Sequence, residues 1–241
     1  MKLPYAKQWI NQQDIDAAVR TLGSDRITQG PALDDFEKKL ANYCGARYAV
    51  AVSNGTAALH LASLALGLKK GCEVITTPIS FLATSNAVLY ANAKPVFADV
   101  DAQTVNLSPE EVVKKINKNT AAIYPVHFGG LPCDMEALHA IAKKYRLFVV
   151  EDASHALGAK YRSGNSWVKV GSCRHSDLTV FSFHPVKHIT TGEGGALTTN
   201  NPKLYESLKL LRNHGMFRSS QLSKNTAPGI TKCTSLDLII A

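Results

Sequence analysis

Short apolar runs alternate with helical patterns along most of this chain. Residues 48–53 (YAVAVS) form an apolar run broken by Asn54-Gly55, and residues 56–68 (TAALHLASLALGL) then carry the Ala- and Leu-rich pattern of a buried helix. Residues 73–77 (EVITT) predict a second strand, 81–91 a second helix and 95–99 (PVFAD) a third strand. Ser108-Pro109-Glu110-Glu111 reads as a capping box with proline at the first helical position, opening a helix that runs to about Asn117. Strands are predicted at 120–127, 147–152 (LFVVED), 176–183 (SDLTVFSF) and 195–199. A helix over 134–145 places Met135, Leu138, Ile141 and Ala142 on its apolar side.

Strands separated by helices of roughly 10–15 residues indicate an α/β fold around a mostly parallel sheet. Such sheets bind ligands beyond the carboxyl ends of their strands. Functional residues are therefore sought directly after each apolar run. There is no internal repeat and no low-complexity linker.

Composition adjusts this picture modestly. The 241 residues are 45% hydrophobic and 19% charged, enough to bury a core. A net charge of +8 favours anionic ligands such as phosphates and nucleotides, or reflects spare surface lysines. No basic block with interleaved aromatics is present, so nucleic acid is not the expected partner. Five cysteines (Cys44, Cys72, Cys133, Cys173, Cys233) without a C-x-x-C pair suit reduced thiols in a cytoplasmic protein. The opening residues lack the apolar stretch of a secretory signal, and no run reaches the ~18–20 apolar residues of a membrane helix.

Three strand ends carry chemistry-bearing side chains. Ser53-Asn54-Gly55-Thr56 is a small turn opening a helix; it is either a plain connection or a phosphate cradle made of backbone N–H groups and the helix dipole. Glu151-Asp152-Ala153-Ser154-His155 follows an apolar strand, and its carboxylates fit either a cap or ion pair or a functional role. In an enzyme using pyridoxal phosphate (PLP), a carboxylate there keeps the pyridine nitrogen protonated. Residues 181–188 (FSFHPVKH) lead into 190–195 (TTGEGG). A lysine after a strand is ordinarily solvated, but Lys187 sits among aromatics and histidines before a glycine-rich turn. A partly dry pocket favours its neutral, nucleophilic amine. His184 and His188 do not form H-E-x-x-H, and Cys173 with His175 makes a poor zinc pair. The glycine-rich turn matches neither a dinucleotide fingerprint nor a P-loop.

Four segments in this order, 53–59 (SNGTAAL), 76–88 (TTPISFLATSNAV), 151–159 (EDASHALGA) and 181–195 (FSFHPVKHITTGEGG), resemble the DegT family of PLP-dependent sugar aminotransferases. The resemblance runs to about Arg218. It implies the fold-type I architecture, a mostly parallel seven-stranded sheet flanked by helices, with PLP as cofactor. It assigns Lys187 as the Schiff-base lysine and proton shuttle, and Asp152 as partner of the pyridine nitrogen. His155 would lie near the cofactor's phenolic oxygen. Gly55, Thr56 and Ser182 would hold the phosphate, and Phe81 would stack on the ring. Tyr5, Asp25, Arg26, Ile27 and Thr28, with Gly55 and Ser182, would line the substrate site.

Residues 4–10, 24–31 and 75–81 are most similar to the pseudaminic-acid branch of the family. This implies amino transfer from L-glutamate to C4 of a UDP-linked 4-keto-6-deoxy-N-acetylhexosamine by a cytoplasmic homodimer, with no membrane or nucleic-acid partner and no metal.

The family also carries a G-Y-N-x-R-[ML]-T-[DE] segment and a smaller C-terminal domain, whereas residues 224–241 read KNTAPGITKCTSLDLIIA. The expectation is a PLP-binding large domain with an N-terminal arm over 1–218 and a truncated or divergent tail over 219–241. Such a chain is expected to be poorly soluble or weakly active. Two alternatives are a PLP-dependent sugar dehydratase on the same scaffold, which places histidine where Lys187 stands, and an inactive binding protein derived from the fold.

Overall fold

All seven predicted apolar runs pair into one sheet in the computed structural model, which describes residues 6–216. In chain order the helices are α1 (Gln12–Leu22), α2 (Pro31–Cys44), α3 (Gly55–Ala65), α4 (Ala83–Tyr90), α5 (Pro109–Lys115), α6 (Met135–Tyr145) and α7 (Pro202–Arg212). The strands are β1 (Tyr48–Val52), β2 (Glu73–Thr76), β3 (Lys94–Phe97), β4 (Thr120–Tyr124), β5 (Phe148–Asp152), β6 (Lys160–Ser163), β7 (Ser166–Lys169), β8 (Leu178–Ser182) and β9 (Gly195–Thr199). The sheet order is β1-β9-β8-β5-β4-β2-β3, and β6 and β7 form a separate hairpin. Pairing is parallel from β8 through β5, β4 and β2 to β3. Only β9 runs against its neighbours β8 and β1.

The central strands are mostly apolar because both faces are covered. Successive residues serve opposite layers. Val74, Val150, Val180 and Leu197 join a cluster beneath α3, α4 and α7. Their neighbours Ile75 and Val149 pack under α5 and α6, while Phe181 and Ala196 pack with α2. Helix α3 lies close to the sheet because its inward face is small: Gly55, Ala58, Ala62 and Ser63 are buried with Leu59. Asn54 starts that helix by accepting the Ala57 N–H at 2.8 Å, a cap that stabilises by about 1 kcal/mol.

Several predictions of local structure need correction. The expected capping box at Ser108 is half formed. Its hydroxyl accepts the Glu111 N–H at 3.4 Å, but the Ser108 N–H donates to the Asp99 carbonyl and the Glu111 carboxylate turns to Lys114. The strand expected over 120–127 ends at Tyr124, and the helix expected over 81–91 begins at Ala83. The α1, α2 and α7 helices and the β6–β7 hairpin were not foreseen. Their apolar residues are interspersed with charges and give no continuous run. Among the described residues, no helix is long and apolar enough to cross a membrane.

Candidate active site at the carboxyl ends of the central strands

Strand register assembles the site. Val52 pairs with Gly195, and Gly195 pairs with Ser182, so the turn after β1 and the end of β8 face each other across β9. Asp152 at the end of β5 pairs with Val180 of β8, two residues before Ser182. The turn after β1 opens α3, whose first N–H groups and dipole point towards Ser182. Two glycines permit this approach. A Cβ at Gly195 would lie 2.4 Å from the Asn54 carbonyl, and one at Gly55 would lie 2.9 Å from the Ser182 Cβ. The result is a cradle of backbone N–H groups and hydroxyls suited to a phosphate.

Lys187 follows β8 in the loop that bends back to β9. It lines a cavity of about 220 Å³ with Gly129, His155, Val186 and His188. Its amine contacts His155 Nε2. Partial burial pulls the Lys187 pKa below the usual lysine value, while the Asp152 carboxylate pulls against that shift. The His155 pKa is also lowered, first by burial and then by the neighbouring Lys187. The Lys187 amine and His155 Nε2 are thus joined by one hydrogen bond between groups that both favour their neutral forms. The amine is thus both easier to deprotonate and held in place.

Asp152 is buried, with both oxygens engaged. Thr84 donates its hydroxyl to Oδ2 at 2.6 Å; Ser154 donates to Oδ1 from its hydroxyl at 2.7 Å and its N–H at 3.2 Å. The preceding residue, Glu151, points to the other side of β5 and is fully enclosed. It accepts from His127 Nε2 at 2.9 Å, from Thr179 at 2.8 Å and from Ser176. His127 Nδ1 accepts the Cys133 N–H at 3.1 Å, which fixes the ring proton on Nε2, facing Glu151. Burial alone would raise the Glu151 pKa, but the hydrogen bond and electrostatic pull of His127, with the hydrogen bonds from Ser176 and Thr179, outweigh it and hold the carboxyl low.

The structure thus brings together Lys187, His155 and Asp152, and beside them Gly55 and Ser182, with Thr56 next along α3. Phe81 stands just before α4 and is 79% exposed. His155, the residue expected beside the cofactor's phenolic oxygen, has its Nε2 on the Lys187 amine. Asp25, Arg26, Ile27 and Thr28 form an exposed loop between α1 and α2, outside the cavity lining. Tyr5 lies outside the described residues. Sequence reasoning missed Gly129, Val186 and His188 as lining residues and Thr84 as a partner of Asp152. Val186 and His188 flank Lys187 and could have been found from that adjacency, whereas nothing in the sequence points from Thr84 to Asp152, 68 residues away.

A buried carboxylate, a pKa-lowered lysine and an anion cradle, set around one strand end, are the parts a pyridoxal-phosphate enzyme needs. The fit is direct: the Gly55–Ser182 cradle suits the phosphate, Lys187 the aldehyde carbon and Asp152 the ring nitrogen. Residues 8–232 match the DegT/DnrJ/EryC1/StrS aminotransferase family, and the chain belongs to it. Pyridoxal phosphate is the cofactor of that family.

Among curated relatives, the UDP-4-amino-4,6-dideoxy-N-acetyl-beta-L-altrosamine transaminase of Campylobacter jejuni (strain 81-176) is 43% identical over 90% of this chain and 56% of its own length. The spore coat polysaccharide biosynthesis protein SpsC of Bacillus subtilis (strain 168) is 42% identical over 90% of this chain and 54% of its own. The solved structure of Helicobacter pylori PseC, described as an aminotransferase involved in the biosynthesis of pseudoaminic acid, superposes with a TM-score of 0.83. It is 35% identical, over 90% of this chain and 57% of that one. The chain therefore spans about half the length of the relatives it matches.

Proposed function

We propose that residues 1–218 are the PLP-binding large domain of a nucleotide-sugar aminotransferase. In this reading it moves an amino group from L-glutamate to C4 of a UDP-linked 4-keto-6-deoxy-N-acetylhexosamine. The observation that carries the reading is the placement of a pKa-lowered Lys187 in the cavity beside His155, with Asp152 at the adjacent strand end. The sugar class is supported by the names of the similar Campylobacter and Helicobacter proteins. When bound, the cofactor supplies an electron sink for the carbon next to nitrogen.

The chain's own residues do the rest. The α3 N-terminus with Gly55, Thr56 and Ser182 would hold the phosphate, and Asp152 would hold the ring nitrogen in its protonated form. Phe81 covers one ring face, and its exposure leaves it free to do so. Lys187 takes a proton from the donor's α-carbon and returns one to C4 of the acceptor, its lowered pKa suiting both roles. His155 holds the Lys187 amine in line through Nε2. The loop from Asp25 to Thr28 contributes to the sugar site. The working form is a homodimer in the cytoplasm, a compartment that keeps the free Cys44, Cys72, Cys133 and Cys173 reduced.

The reading is tested by incubating the full chain with PLP, reducing with borohydride and mapping peptides, then assaying a panel of UDP- and TDP-linked 4-keto sugars with glutamate. The expected result is a cofactor adduct on Lys187, lost with turnover in Lys187→Ala. An adduct on another lysine, or none with ample cofactor, overturns it.

A further inference from the structure

Asp152 has room for one more hydrogen bond, and the structure specifies which oxygen will take it. A carboxylate offers about four acceptor sites, two on each oxygen. Ser154 fills both on Oδ1, with its hydroxyl at 2.7 Å and its N–H at 3.2 Å. Thr84 fills one on Oδ2 at 2.6 Å. The last site belongs to Oδ2, the oxygen that Thr84 holds.

Thr84 is itself tethered. It is buried in the first turn of α4, and its hydroxyl lies 2.9 Å from the Ser80 hydroxyl. An ionised Asp152 can only accept, so Thr84 donates to it and is left able to accept from Ser80, whose hydroxyl also reaches the Phe81 carbonyl at 3.2 Å. Two hydroxyls in series polarise one another and strengthen the bond to the carboxylate. Ser80 and Thr84 bracket Phe81, the side chain placed over the cofactor ring.

We propose that Thr84 is a positioning residue for the cofactor's ring nitrogen. It aims Asp152 Oδ2 and ties that carboxylate to the turn carrying Phe81. The inference rests on the PLP reading above. Thr84 touches neither cofactor nor substrate; it acts through Asp152.

The test compares wild type, Thr84→Val and Thr84→Ser in the full chain, with PLP and with its 1-deaza analogue, which lacks the ring nitrogen. The readouts are the dissociation constant and the visible absorbance of the bound cofactor, with borohydride trapping on the wild type. Thr84→Val is expected to weaken PLP binding by about 10-fold, the scale of one hydrogen bond to a charged group, and to shift the absorbance band. Affinity for the deaza analogue should be unchanged, and Thr84→Ser should restore PLP binding. Equal losses for both ligands would mark Thr84 as merely structural and overturn the inference, as would no loss for either. If wild type traps PLP on Lys187 while Thr84→Val binds normally, the inference alone fails. If wild type traps none on Lys187, the PLP reading fails and the inference goes with it.

Discussion

The last two residues of β5 build two polar clusters from nearly the same parts. Glu151 on one side gathers His127, Ser176 and Thr179; Asp152 on the other gathers Thr84 and Ser154, with His155 and Lys187 close by. The first is sealed: Glu151 and His127 are each 1% exposed. The second opens onto a cavity. In the sealed cluster the histidine's tautomer is fixed by a backbone N–H, and the carboxylate accepts from three donors with no cavity beside its remaining acceptor site, so nothing there is accessible to react. In the open cluster one carboxylate acceptor site and one lysine amine remain available. Enclosure, more than residue type, separates structural from functional chemistry.

Glu151→Ala strikes the sealed side hardest. It strands His127 and two hydroxyls in the core, with an expected loss of about 3–5 kcal/mol in urea denaturation. Asp152→Asn should cost only about 1–1.5 kcal/mol while abolishing tight PLP binding. Equal stability costs for the two would erase the distinction.

Gly195→Ala comes next. Its Cβ would meet the Asn54 carbonyl at 2.4 Å and push the α3 start away from Ser182. A loss of about 1–3 kcal/mol by thermal or chemical melting is expected, together with weaker cofactor binding.

Acid sharpens the comparison further. Because the Glu151 pKa is depressed in the folded state, its stabilisation is complete above the unfolded value of about 4.3 and is lost as pH falls through the lower folded value. Glu151→Gln should flatten that part of the stability–pH curve.

The smallest effect lies on the open side. Lys187 should be acylated at lower pH than the ordinary lysines, whose midpoint is about 10.4. Asp152→Asn should lower the Lys187 midpoint further, because the carboxylate opposes the burial shift. Peptide mass mapping across a pH series reads both. A Lys187 midpoint equal to the bulk would contradict the cavity's effect.

Most of the sheet was legible because strands buried on both faces are mostly apolar, and residues 48–52, 147–150 and 178–181 are. The helices α1, α2 and α7 were harder to read. In α1, Ile15, Val19 and Leu22 share a helical spacing, but they are few, exposed and set among polar residues, so no apolar run marks the helix. Lys187, Asp152 and Gly55 were legible as candidates because each follows an apolar run, and Ser182 and His155 through the resemblance; the Thr84–Asp152 contact was not legible.

The sequence alone determined the seven strands of the main sheet, the turns that open α3 and α5, and which residues stand at those strand ends, because burial and capping act over a few residues. Tertiary structure decided which ends meet: Ser182 against Gly55 through β9, Thr84 against Asp152, Lys187 against His155. Those pairings depend on strand order and register, which local periodicity does not encode. They also decided that Glu151 is sealed while Asp152 is open, because adjacent residues on a strand point to opposite faces, and only the packed helices determine which face stays uncovered.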